Sequence, residues 1–231
     1  MGKPKGKAHA AEAGPTLAQV VTGSGLLEKI ATSTRSIIAR SVVEADEQGK
    51  IMLRVVSCHT CDAPKACCSL VTAVYLYEGL PIAARLVAEG RDTPELRAQL
   101  RARAEAMENA PRRQYRHPCV FLDAEERCTI YTDRPSTCGM ALVYSPAAGC
   151  SDPTNKIVDA YRPSYLRELT LKVEEGVREE LGLPRGAHLY MGVLPRVVLL
   201  CLQAWHRSDF VKFFSQHAPA AAAGLDRAVG G

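Results

Sequence analysis

Four thiols within eleven residues, Cys58, Cys61, Cys67 and Cys68, constrain this chain more than any other feature. Four more follow at Cys119, Cys128, Cys138 and Cys150, and the ninth cysteine, Cys201, stands apart. In a reducing compartment, clustered thiols are more often metal ligands or redox groups than structural disulfides. Cys58-x-x-Cys61 has the spacing with which a tight turn delivers two thiolates to one ion. Neighbouring residues point in different directions on a regular backbone, so Cys67 and Cys68 suit two metal atoms of a cluster or two nearby sites, unless one of them simply packs. Fifty residues separate Cys68 from Cys119. A metal held by both sets would close a long loop. Its binding energy would then count as folding energy, roughly 10 kcal/mol or more for a structural zinc.

A cytoplasmic location with no membrane span is expected. The basic start, Met1 to Lys7, is not followed by a continuous apolar segment. The longest apolar run, Val197 to Leu202, is far too short to cross a bilayer. The 231 residues suffice for one domain, and 47% hydrophobic with 23% charged residues is ordinary globular composition. A net charge of +4 is too mild to imply a nucleic-acid partner.

The expected fold is mainly α, with helices around a loop-rich cysteine metal-binding centre and short extended segments. Residues 1–15 and the Ala/Gly-rich residues 218–231 read as disordered tails, and 16–217 as one α-rich domain with its metal-binding core at 58–150. Thr16 to Val21 is expected as a helical turn. Leu26 to Ala45 reads as a helix, with Leu27, Ile30, Ile37, Ile38, Val42 and Val43 near one face. Glu47 to Lys50 reads as a turn, and Ile51 to Val56 as a short strand or an extended run leading into the first cysteine. Leu70 to Tyr77 looks helical, and Pro81 opens a helix to about Glu89. Thr93-Pro94-Glu95 is a helix start, and Pro111 ends that helix after Asn109. Val120 to Leu122 and Thr129 to Tyr131 are expected to be extended. Pro163 to Leu181 carries Leu166, Leu169, Val173, Val177 and Leu181 at helical spacing, with Gly182 and Pro184 as its stop. A last helix, or a kinked pair, covers about Leu194 to Phe214.

The segments Cys119-Val-Phe-Leu-Asp123 and Cys128-Thr-Ile-Tyr131-x-x-Arg134-Pro135-x-x-Cys138, with Cys58-x-x-Cys61 and Cys67-Cys68 before them and Cys150 after, resemble the YkgJ-like family, also called CxxCxxCC-type zinc- or iron-chelating proteins. The resemblance covers about residues 58–150. It implies that Cys58, Cys61, Cys67, Cys68, Cys119, Cys128, Cys138 and Cys150 hold an iron–sulfur cluster, with 4Fe-4S as one option, or zinc. All-thiolate sites suit both metals; paired cysteines and eight thiols favour the cluster. Two departures stand out. Five residues separate Cys61 from Cys67 where the family has two, and Gly139-Met140-Ala141 follows Cys138 where the family often has Arg-x-Phe.

The remaining chemistry-bearing residues have plainer readings. Cys201 lies in an apolar helical run and reads as core. His59 and His117 each sit beside a cysteine and are expected near the ligands or in solvent rather than on the metal. Arg134 is expected either to donate hydrogen bonds to sulfur or carbonyls or to pin its turn by a salt bridge, and Tyr131 to pack. The Arg-rich stretch Arg91 to Arg116 reads first as a solvated helix face and second as a contact for RNA or an acidic protein. No catalytic or dinucleotide fingerprint is present, so a reaction stays open. The leading function is an iron–sulfur protein in electron transfer or redox support of a modifying enzyme. The alternatives are a structural zinc module that presents helices to a protein partner, and, by analogy with a family-like flagellin lysine methylase, a protein methyltransferase.

Overall fold

The computed structural model describes residues 25–51, 56–57, 66–110, 115–140, 142–143, 164–180 and 190–229. Cys58, Cys61, Cys150, His59 and the expected turn at 16–21 lie outside them. Among the described residues the chain is mainly α-helical, with two small two-stranded antiparallel sheets. In chain order the elements are α1 (Leu26–Ile51), β1 (Val56–Ser57), β2 (Ala73–Tyr75), α2 (Gly79–Ala88), α3 (Pro94–Asn109), α4 (Ser136–Gly139), β3 (Leu142–Val143), α5 (Ser164–Glu180), β4 (Met191–Val193), α6 (Leu194–Ala204) and α7 (Phe210–Val229). Single 3₁₀ turns occupy Ala66–Ser69, Leu76–Glu78 and Tyr131–Asp133.

The apolar run Val197 to Leu202 is the centre of the fold. Every residue of it is buried in α6, which packs against α2, α3 and α7. A helix apolar on all sides has to be enclosed, and these three neighbours enclose it. Cys201 is fully buried there, and its thiol donates to the Leu76 carbonyl at 3.4 Å. Gly79, the first residue of α2, lets that helix meet α6 closely. A Cβ at Gly79 would stand 2.7 Å from Val197 Cγ1 and 2.8 Å from Cys201 Sγ. Gly79→Ala is therefore expected to lower stability by about 1–3 kcal/mol, read from the urea midpoint, because it overpacks a close helix contact.

α1 lies over α2 and α5. Leu27, Ile30, Ile37 and Ile38 are buried as expected, but Val43 is 57% exposed, because the helix turns it away from its neighbours. Helix continues through the expected turn at Glu47 to Lys50 as far as Ile51, and Val56–Ser57 form a strand; residues 52–55 of the expected strand lie outside the described residues. One glycine costs a helix only about 1 kcal/mol, so Gly49 does not stop it.

The expected helix at Leu70 to Tyr77 is also corrected. Ala73–Tyr75 pair with Met191–Val193 in the register Ala73↔Val193, Val74↔Gly192 and Tyr75↔Met191. Leu194 N–H to the Thr72 carbonyl and Leu76 N–H to the Tyr190 carbonyl extend this ladder at both ends. Val71, Thr72, Val74 and Tyr75 are β-branched or aromatic, and a partner strand lets that preference win. The helix starting at Pro94 is confirmed, with Thr93 Oγ1 accepting from Leu96 N–H at 3.2 Å. The helix predicted at Pro163 to Leu181 is observed as Ser164–Glu180 with Val173 and Val177 buried.

The kinked pair at Leu194 to Phe214 resolves into α6 and α7, broken at 205–209. The Ala/Gly-rich stretch expected as a tail is the second half of α7. Ala218, Ala221, Leu225 and Ala228 bury one face of it. Alanine is the best helix former, and its small side chain lets α7 lie close to α3 and β4. No helix among the described residues is long and apolar enough to cross a membrane.

Candidate metal centre

The segment Cys119 to Cys128 folds into a short knuckle, and each signature residue has a visible task. Phe121 is buried in the core, and its amide donates to the Cys119 sulfur. Leu122 and Cys128 form an isolated antiparallel bridge. Thr129 N–H closes the turn onto the Phe121 carbonyl at 2.8 Å. Asp123 caps the tip, accepting from the amides of Glu125 and Arg127 at 3.0 and 2.8 Å and from Arg127 Nε at 2.9 Å. Those bonds, the Arg127 amide foremost, hold its carboxyl below the usual range. The tip also carries Glu126 in the left-handed region at φ 57°. The extended pieces expected at Val120 to Leu122 and Thr129 to Tyr131 thus reduce to one bridge, because the knuckle is too short for a ladder.

The result is two partly buried sulfurs side by side, Cys119 and Cys128, against the core. Burial pushes the Cys119 thiol up to about 11 from 9.0; the Phe121 amide opposes this, neighbouring Cys128 adds to it, and Arg103 of α3 opposes it. A metal that binds this sulfur must displace its proton. Affinity is therefore expected to rise about tenfold per pH unit for each proton displaced. Ordinary thiols stop contributing near 9.0, whereas Cys119 goes on contributing to about 11. Competition titrations with a chromophoric chelator between pH 7 and 10 check this: a plateau at pH 9 would contradict it.

Cys138 sits on α4, whose placement comes from two buried carboxylates. Asp133 accepts from Arg35 of α1 and, at 3.4 Å, from Arg85 of α2. Glu78, at the end of the 3₁₀ turn before α2, accepts from Ser136 N–H at 2.8 Å with one oxygen and from Tyr75 N–H at 2.8 Å with the other. Thr137 Oγ1 donates to the Ala73 carbonyl at 2.8 Å. Arg134 takes the first of its two expected roles: Nε donates to the Tyr131 carbonyl at 3.0 Å, and the guanidinium stacks 3.7 Å from the Tyr131 ring centroid. Tyr131 is accordingly 43% exposed rather than packed in the core. Gly139 explains one departure from the family pattern. Its Cβ would fall 2.5 Å from Val42 Cγ2, so the approach of α1 leaves no room for a longer side chain.

Cys67 and Cys68 lie on the 3₁₀ turn leading to β2, the strand against which Thr137 is bonded. Val56 and Ser57 pair with Val143 and Leu142, so the chain entering Cys58 runs beside the chain leaving Cys138. Cys119 and Cys128 come together in the knuckle, Cys67 and Cys68 share the turn before β2, and Cys138 follows Thr137, which is bonded to that strand. Among the described residues no three His, Cys, Asp or Glu side chains gather as an ion site. His117 is exposed, edge-on to Tyr115 at 5.2 Å.

The helices inserted between the cysteine sets hold the knuckles. Arg91 donates to Thr129 Oγ1 at 3.0 Å and Arg85 to Thr132 Oγ1 at 2.6 Å. Arg97 grips Asp92 at 2.6 and 2.7 Å and reaches the Leu202 carbonyl at 3.1 Å. Part of the Arg-rich stretch is thus spent on internal structure. Glu78 escaped the sequence reading. Its signal was a lone carboxylate inside the apolar run from Val71 to Leu80, a residue type rarely buried unless partnered.

Residues 57–156 match the model of the CxxCxxCC family, whose description reads "Putative zinc- or iron-chelating domain". No curated protein matches the chain, and no solved structure does.

Proposed function

From a chain whose residues 57–156 match the CxxCxxCC zinc- or iron-chelating domain, we propose a protein built around a cysteine-ligated metal centre, with an iron–sulfur cluster as its metal and electron transfer or redox support of a modifying enzyme as its role. The ligands in this reading are drawn from Cys58, Cys61, Cys67, Cys68, Cys119, Cys128, Cys138 and Cys150. The observation that carries it is the Cys119–Cys128 knuckle: two adjacent sulfurs, one receiving the Phe121 amide, against an apolar wall. Amide donors to sulfur stabilise thiolate and set the potential of a cluster. The adjacent Cys67 and Cys68 add donors that diverge, as a multinuclear centre requires. A bound cluster would supply one-electron chemistry; the chain's own residues orient the sulfurs and limit water.

A structural zinc module is the second reading. It is favoured by the ties from α1 and α2 to the Cys128–Cys138 loop through Arg35, Arg85 and Asp133, since a metal that fixes this loop also fixes helices for a protein partner. The methyltransferase alternative rests on resemblance alone and takes no part in this reading. Metal analysis with visible and electron paramagnetic spectroscopy on anaerobically purified protein separates the two. Iron with labile sulfide and a coloured, reducible centre is expected; colourless protein holding only zinc would overturn the cluster.

A further inference from the structure

We propose that Glu78 is the positioning residue that holds the two cysteine sets in register for one metal centre. The inference rests on reading Cys67, Cys68 and Cys138 as ligands, and it names what aligns them. Glu78 is 1% exposed, and each of its oxygens accepts one backbone amide at 2.8 Å. One amide belongs to Tyr75, on the strand that leaves the Cys67–Cys68 turn; the other belongs to Ser136, which begins the helical turn carrying Cys138. A single carboxylate therefore ties the strand after Cys68 to the helical turn carrying Cys138, and Ser136 lies 58 residues from Glu78 in sequence. Thr137 Oγ1 on the Ala73 carbonyl makes a second, parallel tie.

Filling space does not require a charge here. A buried carboxylate carries a desolvation cost that a leucine would avoid. What the carboxylate provides is two acceptors in a fixed fork, facing two donors from different segments. Glutamine has one acceptor and would turn an NH₂ group toward one of the amides. The two amide bonds of Glu78 act by fixing the backbone on which Cys138 stands relative to the strand after Cys68.

The test uses the full chain, reduced and stripped of metal, titrated anaerobically with cobalt(II). The thiolate-to-cobalt charge-transfer and d–d bands report sulfur ligation and geometry directly. Glu78→Gln is expected to weaken cobalt affinity 10- to 100-fold, the range for residues that orient ligands, and to shift the d–d bands from the wild-type pattern. Leu225→Ala removes packing in the separate cluster around Met107 and Ala104 and should keep both band position and affinity despite a lower melting temperature. Should Glu78→Gln not fold, Ser136→Pro decides. It deletes both Ser136 donors to Glu78, the amide and the hydroxyl, at the first position of α4, where proline is tolerated, after a Pro135 whose ψ of 156° already suits it. Wild-type affinity and spectrum in the folded Glu78 and Ser136 variants would overturn the proposal, as would an equal loss of affinity in Leu225→Ala. A wild-type chain that takes up no cobalt through sulfur would overturn the metal centre itself.

Discussion

Replacing Cys119 and Cys128 together by serine is expected to abolish metal loading and to remove several kcal/mol of stability, out of the roughly 10 kcal/mol that a thiolate-bound metal contributes to small sites. The knuckle's own hydrogen bonds cannot replace it. They are a few backbone bonds and the Asp123 cap, each worth about 1 kcal/mol net. Far-ultraviolet circular dichroism should stay largely helical, because the helices around α6 bury their own core. The loss should appear in metal per chain and in melting temperature. Cys201→Ala is the matched control. It removes a fully buried thiol from α6 and should lower stability while leaving metal content unchanged. Unaltered metal content and melting in the double serine variant would contradict the metal centre.

Arg196→Ala is expected to cost about 3–5 kcal/mol, the range for breaking a buried ion pair from one side. Arg196, near the start of α6, makes a two-pronged contact with Glu108 of α3 at 2.9 and 2.8 Å, and the Glu108 side chain is only 7% exposed. The Glu108 hydrogen bonds are the main reason Arg196 is held above its usual pKa. Gly224 of α7 covers the carboxylate so closely that a Cβ would lie 2.7 Å from Glu108 Cδ, which leaves little space for water to replace the guanidinium. Arg196→Lys keeps the charge but loses the fork and should fall between wild type and alanine. Urea unfolding followed by circular dichroism measures both; an alanine variant within about 1 kcal/mol of wild type would contradict the pair's role. Metal content should not change, which separates this effect from that of the cysteines.

Local pattern carried the reading a long way. Thr93-Pro94-Glu95 announced α3 because capping is decided within four residues. The 3.6-residue spacing of Val173 and Val177 announced α5, and the all-apolar run around Cys201 announced a buried helix. Where partners distant in sequence decide, the pattern misled. Residues 73–75 and 191–193 are weak strands alone and form a sheet only because each supplies the other's hydrogen bonds. The alanine-rich end looked featureless because a small-residue helix face has meaning only once α3 and β4 lie against it.

The cysteine spacing and the Cys119–Asp123 and Cys128–Cys138 motifs were enough to find the family whose model residues 57–156 match, since residue type and interval are written along the chain. The guanidiniums and carboxylates that tie the segments bearing those cysteines to the helices were not. Glu78, Asp133, Arg35 and Arg85 act on residues 46 to 98 positions away. A hydrogen bond across such an interval leaves no local periodicity, because the folded core alone sets which groups meet.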